Sequence, residues 1–301
     1  MKAREIEKET RRLYHKIHVA QGDDPKIYAR LRRLLTTEYL QVPDDFFHDK
    51  ICLDAGCGSN ANATHALLSM GAKKVYAFDL DNTIVKSAPK YLSEFKGRYE
   101  LSAGNVMHLD YPSNFFDFVH CSGVLHSIVK PLAGLKELAR VTKVGGMFYF
   151  TIYGKGGLVR EVTTFFREKY VKDGQFRKLI DNLKYDHFLE LWKWIAASME
   201  AEGDTFASQI PFEVIESLFD KDMVLTIKDR ITTPLYYEFS DEEMIGWLKA
   251  NGFARIKRLT RNPKIKNIRR LLCPFYHQYD HKFSRLLYGS GFMQFSAIKT
   301  K

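Results

Sequence analysis

The residues of this sequence whose types and spacing could do chemistry are two acids and a glycine-rich turn. Asp54 interrupts the end of an apolar run, Gly56 and Gly58 follow it, and Asp79 lies farther along the chain. Glycines let the chain turn sharply and bring backbone N–H groups against a ligand. A carboxylate about 20 residues beyond such a turn can accept both hydroxyls of a ribose. The pattern predicts a cradle for a nucleotide-like molecule, and a dinucleotide would satisfy it equally well.

The elements that must position these residues alternate between strand and helix. Apolar runs bounded by turn residues predict buried strands, and apolar residues at helical spacing predict the helices between them. The predicted strands are 51–55, 73–79, 98–103, 116–121, 147–152, 253–261 and 291–299, and the predicted helices include 61–70, 82–95, the segment around 132–139, and 241–251. This alternation predicts an α/β fold, a doubly wound parallel sheet with helices on both faces.

Taken together, the motifs resemble the core of the class I S-adenosylmethionine-dependent methyltransferases, of the small-molecule, methyltransferase type 11-like kind. The segments that carry the resemblance, in the family's order, are Leu53–Gly58, Val75–Asp79, Ala103–Val106, Phe116–His126 and Leu138–Gly146. The resemblance implies a Rossmann-like sheet of seven strands whose last strand is antiparallel and inserted between its neighbours. A nicotinamide-binding fold has no such ending.

The resemblance also implies S-adenosyl-L-methionine as the cofactor and assigns its contacts. Asp54 would hold the amino end of the cofactor, with the backbone at Gly56 and Gly58 beside the methionine portion. Asp79 would bind the ribose hydroxyls. The full set of implied cofactor-binding residues is Asp54, Gly56, Cys57, Gly58, Asn60, Asp79, Leu80, Asn105, Val106, Ser122 and Gly123.

Two of these positions depart from the family's pattern. Asn60 stands at the third small position of the glycine loop, where we expect it to tolerate a positive φ better than other non-glycine residues. Asn105 stands where the family usually has an aspartate that binds the adenine amino group, and we expect its amide carbonyl to serve as the acceptor. Neither departure predicts loss of cofactor binding.

Three residues are candidates for catalysis. His126 follows the fourth strand, near the expected position of the reactive methyl group, and Tyr153 ends the fifth strand. His187 lies in a helical insertion. Each could instead serve in packing or in a structural hydrogen bond. An oxygen nucleophile usually needs a general base, whereas an amine needs only to be deprotonated before it binds.

The chain divides into a core with additions. We predict an N-terminal helical cap over 1–45, a cofactor-binding core over 46–154 and 240–301 with a basic insertion at 262–290, and a helical lid or substrate insertion over 155–239. The family places its lid at that insertion, which is rich in aromatic residues. A stripe of aromatic residues on helices is more often core than substrate site, and that alternative stays open.

Composition limits the remaining possibilities. No apolar run is long enough to span a bilayer, and the charged N-terminus does not resemble a signal peptide, so a cytoplasmic location is expected. The four cysteines form no CxxC pair, and we expect reduced thiols with no metal site, of which Cys52, Cys57 and Cys121 lie on or beside apolar runs and should be buried. The net charge is +10, and the segment 254–301 holds twelve Lys/Arg against a single acid, Asp280. Such a segment attracts nucleic acid, anionic lipid or an anionic substrate, or is simply a solvated face.

The predicted function is methyl transfer to an O or N nucleophile of a small, anionic metabolite or of a natural-product or saccharide intermediate. The turn Cys121–Val124 lacks the Asn/Asp-Pro-Pro-aromatic sequence of enzymes that methylate base amines. One alternative is an RNA-modifying methyltransferase that uses the basic C-terminal region. Another is a non-catalytic module that binds S-adenosylmethionine. The sequence leaves the oligomeric state open.

Overall fold

The structure, a computed structural model, describes residues 3–22, 25–205, 209, 228–260 and 273–301. One mixed sheet of eight strands forms its centre. The strands are β1 (Ile51–Ala55), β2 (Lys74–Asp79), β3 (Tyr99–Ala103), β4 (Phe116–Cys121), β5 (Thr142–Gly154), β6 (Glu238–Phe239), β7 (Phe253–Arg258) and β8 (Phe292–Lys299).

The strand order is β3-β2-β1-β4-β5-β8-β7, and the short β6 pairs with the end of β5. Strands β1 to β6 pair in parallel, whereas β8 is antiparallel to both β5 and β7. The predicted doubly wound sheet with an inserted antiparallel last strand is therefore confirmed. It contains eight strands and not seven, because the two-residue β6 carries too little pattern to be found in the sequence.

The helices whose bounds are described include α1 (Ala3–Gly22), α2 (Pro25–Arg32), α3 (Thr37–Leu40), α4 (Asn62–Ser69), α5 (Ile84–Ser87), α6 (Pro131–Val141), α7 (Leu158–Lys172), α8 (Gly174–Asn182), α9 (Tyr185–Ala201), α10 (Asp241–Ala250) and α11 (Lys282–Tyr288). The sheet is buried on both faces because its side chains alternate between two apolar clusters. On β1, Leu53 packs with α6 and α10 on one face, and Cys52 packs with α4 on the other.

Two predicted elements differ from the structure. The single helix expected over 82–95 is a short α5 followed by two 3-10 turns, at Ala88–Tyr91 and Ser93–Phe95. Pro89 lies in the first of these turns. Because proline has no N–H to donate to the preceding turn, it ends the α-helix there. The fifth strand begins at Thr142, directly after α6, and not at 147.

The C-terminal part of the core is held by helix capping and a buried ion cluster. The Ser240 hydroxyl accepts a hydrogen bond from the N–H of Glu243 at 3.1 Å, and the Ser240 N–H donates to the Glu243 carboxylate at 2.6 Å, so a capping box begins α10. Asp241 then pairs with Arg258 at 2.8 Å and with Arg285 at 2.9 Å. This cluster ties α10, β7 and α11 together.

All four cysteines are buried, as expected for small apolar side chains. Burial raises the pKa of the Cys57 and Cys121 thiols well above their usual value. These thiols therefore stay protonated at neutral pH. Within the described ranges, none of the helices combines the length and the apolar character needed to cross a membrane.

Candidate functional site

A cavity of about 570 Å³ opens at the carboxyl ends of the central parallel strands. This is the edge where α/β proteins bind ligands, because the strand–helix turns there expose backbone groups. All of the predicted cofactor-binding residues line it: Asp54, Gly56, Cys57, Gly58, Asn60, Asp79, Leu80, Asn105, Val106, Ser122 and Gly123. The volume lies within the range of about 300–1,000 Å³ that is typical of small-molecule pockets.

The glycine turn after β1 has the backbone that the sequence predicts at two of its positions. Gly56 and Gly58 have φ values of 78° and 65°. A Cβ at Gly56 would lie 2.2 Å from Val124 Cγ2, so only glycine fits between the two turns. The expectation for Asn60 is wrong, since the positive φ falls on Ala61, at 45°. Ala61 stands at the N-cap of α4, and the chain turns there into the helix.

Asp54 is fully buried and both of its carboxylate oxygens have partners. Its Oδ2 accepts a hydrogen bond from the Thr64 hydroxyl at 2.7 Å, and its Oδ1 lies 2.8 Å from His120 Nδ1. His120 in turn stacks on Tyr149, with ring centroids 5.3 Å apart. These contacts fix the carboxylate at the floor of the cavity, where a positively charged group of a ligand would find a preoriented acceptor.

Asp79 is oriented in the same way at the end of β2. Its Oδ2 accepts a hydrogen bond from the Gly58 N–H, and its Oδ1 accepts one from the Asp81 N–H, both at 2.9 Å. Asp81 lies 2.6 Å from His15 Nδ1 of α1. Burial would raise the pKa of Asp81, but hydrogen bonds from Thr83 and His15 hold it below its usual value. Asp81 is therefore ionised at neutral pH and anchors α1 to the edge of the sheet.

Asn105, after β3, presents its amino group and not its carbonyl to the nearest side chain. Its Oδ1 accepts a hydrogen bond from the Met107 N–H at 3.0 Å, which fixes the orientation of the amide. Its Nδ2 lies 3.1 Å from Glu7 Oε1 of α1, and both residues line the cavity. The Asn105 carbonyl oxygen is therefore shared with the loop backbone, and one of its two lone pairs is left for a ligand.

Several buried polar atoms at the start of α4 have no hydrogen-bond partner among the described residues. Asn60 Nδ2 and Asn62 Oδ1 both belong to residues that line the cavity. A buried polar group without a partner costs on the order of 1–3 kcal/mol. Unsatisfied donors and acceptors next to a fixed carboxylate fit a polar ligand such as an amino acid group.

His126 lies in the turn after β4 and lines the cavity. Its ring stacks on Tyr153, with centroids 3.7 Å apart, and is buried. Burial, aided by the charges of Arg160 and Arg230, lowers the pKa of His126 to about 3. The imidazole is therefore neutral at physiological pH and is a weak proton acceptor, which fits packing of the Tyr153 ring better than general-base catalysis.

Two residues that the sequence did not single out meet next to this pair. The Tyr14 hydroxyl of α1 lies 2.9 Å from Ser127 Oγ and also hydrogen-bonds to Asp229. Burial raises the pKa of Asp229, while the Tyr14 hydrogen bond and the charges of Arg230 and Arg167 oppose the shift. Tyr14 and Asp229 both line the cavity. Asp229 lies between Lys228 and Arg230, and such a charged run gives no signal of burial.

Arginine side chains stand behind this end of the cavity. The Arg160 guanidinium lies 4.7 Å from the centroid of the Tyr153 ring and pairs with Glu238 at 2.8 Å. Arg167 donates to the carbonyl oxygens of Arg230 and Thr233 at 2.7 and 2.9 Å. Three arginines, Arg160, Arg167 and Arg230, thus face two carboxylates, Asp229 and Glu238. Cationic side chains therefore outnumber carboxylates in this group, and the three arginines lie next to the cavity without lining it.

The described parts of the added segments contribute unequally to the cavity. Helix α1 contributes many lining residues: Ile6, Glu7, Thr10, Arg11, Tyr14, Ile17 and His18. Among the described residues of 155–239, Asp229 alone lines it. His187 is exposed on α9 and is absent from the lining, so it has no part in the site proposed for this cavity.

The described part of the basic insertion 262–290 reaches the cavity through Tyr276 and His277. Four of the basic residues predicted to stand near the rim, Lys264, Lys266, Arg269 and Arg270, lie outside the described residues. Other cations of the C-terminal segment are used inside the fold. Lys299, for example, is buried and donates at 2.8 Å to the carbonyl oxygens of Ala139 and Thr142.

Comparison with known proteins gives a family for the core. Residues 53–150 match the family model of the methyltransferase domain. The demethylmenaquinone methyltransferase of Geobacillus kaustophilus is 29% identical over 143 residues, which are 47% of this chain and 61% of that protein. The tRNA U34 carboxymethyltransferase of Helicobacter pylori is 34% identical over 102 residues, which are 33% of this chain and 38% of that protein. The chain thus spans less than two thirds of the length of either relative.

Among solved structures, this chain is similar to an S-adenosylmethionine-dependent methyltransferase from Mesorhizobium loti. The alignment covers 86% of this chain and 94% of that protein's chain. The sequence identity is 13% and the TM-score is 0.47.

Proposed function

We propose that this chain, whose residues 53–150 are a class I S-adenosylmethionine-dependent methyltransferase domain, methylates an O or N nucleophile of a small, anionic metabolite. One observation carries the proposal. A single cavity joins the predicted cofactor residues at the ends of β1 to β3 to an acceptor end built from Tyr14, His126, Tyr153 and Asp229.

The cofactor end of the cavity suits a zwitterionic ligand with a ribose. Asp54 would accept hydrogen bonds from the ammonium group, and the unsatisfied Asn60 and Asn62 atoms would serve the carboxylate and ammonium of the same amino acid portion. Asp79 would accept the ribose hydroxyls. When bound, S-adenosylmethionine supplies a methyl group activated by a positively charged sulfur. The residues of the chain need only fix the nucleophile in line with that methyl group, at about 3 Å.

Ser122 and Gly123 would border the cofactor on the side of the acceptor. The Gly123 N–H donates to the Thr151 hydroxyl at 2.9 Å, so the turn after β4 is held against β5. Leu80 would pack on the adenine ring, and the backbone N–H of Val106 would donate a hydrogen bond to it. The proposed contacts therefore follow the order of the strand ends, β1, β2 and β3, across the sheet.

At the acceptor end, we assign Asp229 as the general base. Transfer of the methyl group would leave the O or N nucleophile of the acceptor with a proton to lose. The acceptor's proton passes to the Asp229 carboxylate. Tyr14 holds that carboxylate through its hydroxyl, and its position is fixed in turn by Ser127. A base whose pKa is raised takes up a proton at neutral pH more readily than an ordinary aspartate does.

The preference for an anionic acceptor rests on the positive excess of the arginine cluster. One or two side chains separate the cavity from Arg160, Arg167 and Arg230. The low dielectric there strengthens the electric field of the arginines. A carboxylate or phosphate on the acceptor would neutralise the positive excess of the arginine cluster. The described cations of the C-terminal segment are partly engaged with Asp241 and with backbone carbonyls, so they add little support to the RNA-modifying alternative.

Replacement of Asp79 tests the cofactor placement. In Asp79→Ala the ribose hydroxyls lose a charged acceptor, and we expect calorimetry to show S-adenosylmethionine affinity weakened about ten-fold or more. Asp110→Ala is the matched control, since Asp110 is exposed and absent from the lining. Equal affinity of the two variants would contradict the placement of the ribose. Absence of binding to the unmodified chain would contradict the proposed function itself.

A further inference from the structure

We propose that Glu7 of α1 is a cofactor-binding residue whose carboxylate accepts a hydrogen bond from the exocyclic amine of the adenine ring. The inference rests on the proposed cofactor placement. It goes beyond that placement because it takes a contact from outside the methyltransferase core and gives the N-terminal helix a part in recognising the base.

The position of the adenine follows from the order of the strands. β1, β2 and β3 are neighbours in the sheet, and Asp54, Asp79 and Asn105 stand at or just after their respective ends. The ribose of S-adenosylmethionine joins the amino acid portion to the base. With the ribose on Asp79 and the ammonium group on Asp54, the adenine must extend in the opposite direction, toward Asn105.

The side chain at that end offers the adenine amine only an uncharged amide oxygen, which it shares with the loop backbone. An exocyclic amine is a hydrogen-bond donor and needs an acceptor. Asn105 Oδ1 already accepts the Met107 N–H at 3.0 Å, and the group that it turns toward α1 is its own NH₂. Two NH₂ groups facing each other make no hydrogen bond.

Glu7 supplies a second acceptor, and this one is charged. Its Oε1 lies 3.1 Å from Asn105 Nδ2, and both side chains line the cavity. An ionised carboxylate has about four lone-pair sites, so the bond from Asn105 leaves acceptors for the adenine. The half-buried position of Glu7 excludes part of the competing water. In other members of the family an aspartate at the position of Asn105 supplies the negative charge. In this chain Glu7 of α1 would supply it.

The location of α1 supports this role. Along one face of the helix, Glu7 contacts the end of β3, His15 contacts Asp81 after β2, and Tyr14 contacts Ser127 after β4. Gly58 lies directly beneath the helix, since a Cβ there would come within 2.9 Å of the His18 ring. Glu7 is therefore held over the cavity by contacts that do not depend on its own carboxylate.

The test compares two cofactor products that differ only at the base. S-adenosylhomocysteine carries the 6-amino group, and its 6-deamino purine counterpart lacks it. We expect Glu7→Ala to lower the affinity for S-adenosylhomocysteine about ten-fold, as measured by calorimetry. The affinity for the purine counterpart should change less than about two-fold. Glu7→Gln keeps a carbonyl acceptor without the charge and should fall between Glu7→Ala and the unmodified chain.

Glu9→Ala is the control on the same helix, because Glu9 pairs with Arg12 at the surface and does not line the cavity. It should leave both affinities unchanged. An equal loss for both ligands in Glu7→Ala would mean that Glu7 only holds α1 in place, and no loss for either would mean that it makes no contact. Both results overturn the inference. Binding to the unmodified chain and its loss in Asp79→Ala report separately on the proposed function.

Discussion

Two helical additions to the core behave in opposite ways, although both look like covers in the sequence. Helix α1 lies across the carboxyl ends of three strands and lines the cavity with residues from Ile6 to His18. Helices α7, α8 and α9 lie within the longer, more aromatic insertion, yet Phe165 and Trp194 are 62% and 68% exposed. Aromatic content therefore does not identify the cover of a site. The position of an element relative to the strand ends does.

The charges of the two regions show the same contrast. The polar residues of α1 make long-range contacts with the core, such as His15 with Asp81 at 2.6 Å. The described ion pairs within α7 to α9 are local, as in Lys172 with Glu168 and Lys193 with Glu190. Local surface pairs contribute little to stability. The exceptions are Arg160 of α7, which pairs with Glu238 at 2.8 Å, and the end of the insertion that returns to the core, where Asp229 and Arg230 lie.

The largest effect is expected where that returning segment meets α1. Asp229→Asn keeps the shape of the side chain but cannot take up the acceptor's proton. Turnover, followed as S-adenosylhomocysteine formation with an acceptor found by screening anionic metabolites, should fall about 100-fold or more. Cofactor affinity should stay the same. The acid limb of the pH–rate profile, set by the raised pKa of Asp229, should lie above the pH expected for an ordinary aspartate and disappear in the variant.

The protonation state of Asp229 determines whether activity is lost as the pH falls or as it rises. A raised pKa means that Asp229 becomes protonated at higher pH than usual, and only the ionised form can act as a base. Activity is therefore present above the pKa and is lost as the pH falls through it. Glu190→Gln, at an exposed pair on α9, should keep full turnover. An Asp229→Asn enzyme with normal turnover and the same acid limb would remove Asp229 from the chemistry.

A smaller effect is expected for the contact that anchors α1. Asp81→Asn removes the charge beside His15, and the exchange of backbone amides in α1 should then speed up about ten-fold by hydrogen-exchange mass spectrometry. The amides of α8 and α9 should be unaffected. Asp181→Ala removes the acceptor of the Tyr170 hydroxyl in the insertion, so it should speed up exchange in α8 and leave that of α1 unchanged. Equal exchange of α1 in both variants would mean that this helix is held by its apolar contacts alone.

The smallest effect is expected on the exposed aromatic face of the insertion. Trp194→Ser removes a side chain that is 68% exposed, so the free energy of unfolding should change by less than about 0.5 kcal/mol. Cofactor affinity measured by calorimetry should not change either. A several-fold loss of affinity would show that α9 covers the cavity after all and would erase the contrast with α1.

The core could be predicted from the sequence because its signals are local. The glycine turn, the apolar strand runs and the acid after β2 lie within short stretches, and each stretch fixes its own geometry. All of the cofactor-binding residues that the family resemblance implies line one cavity. The misplaced positive φ at Asn60 and the broken helix at Pro89 are errors of a residue or a turn. The first follows from details of packing that propensities do not contain, whereas Pro89 is a local signal that the prediction overlooked.

The sequence by itself thus determined the sheet, its order of elements and the residues at its strand ends, since hydrophobic period and turn chemistry act between neighbours in the chain. Only the tertiary structure decided that α1 lies over those ends. Glu7 and Asn105 are separated by 98 residues, and Tyr14 and Ser127 by 113. No pattern within α1 specifies such partners, because a half-polar helix can pack on any apolar surface. The folded sheet selects the position of α1, and with it the acceptor that we assign to the adenine.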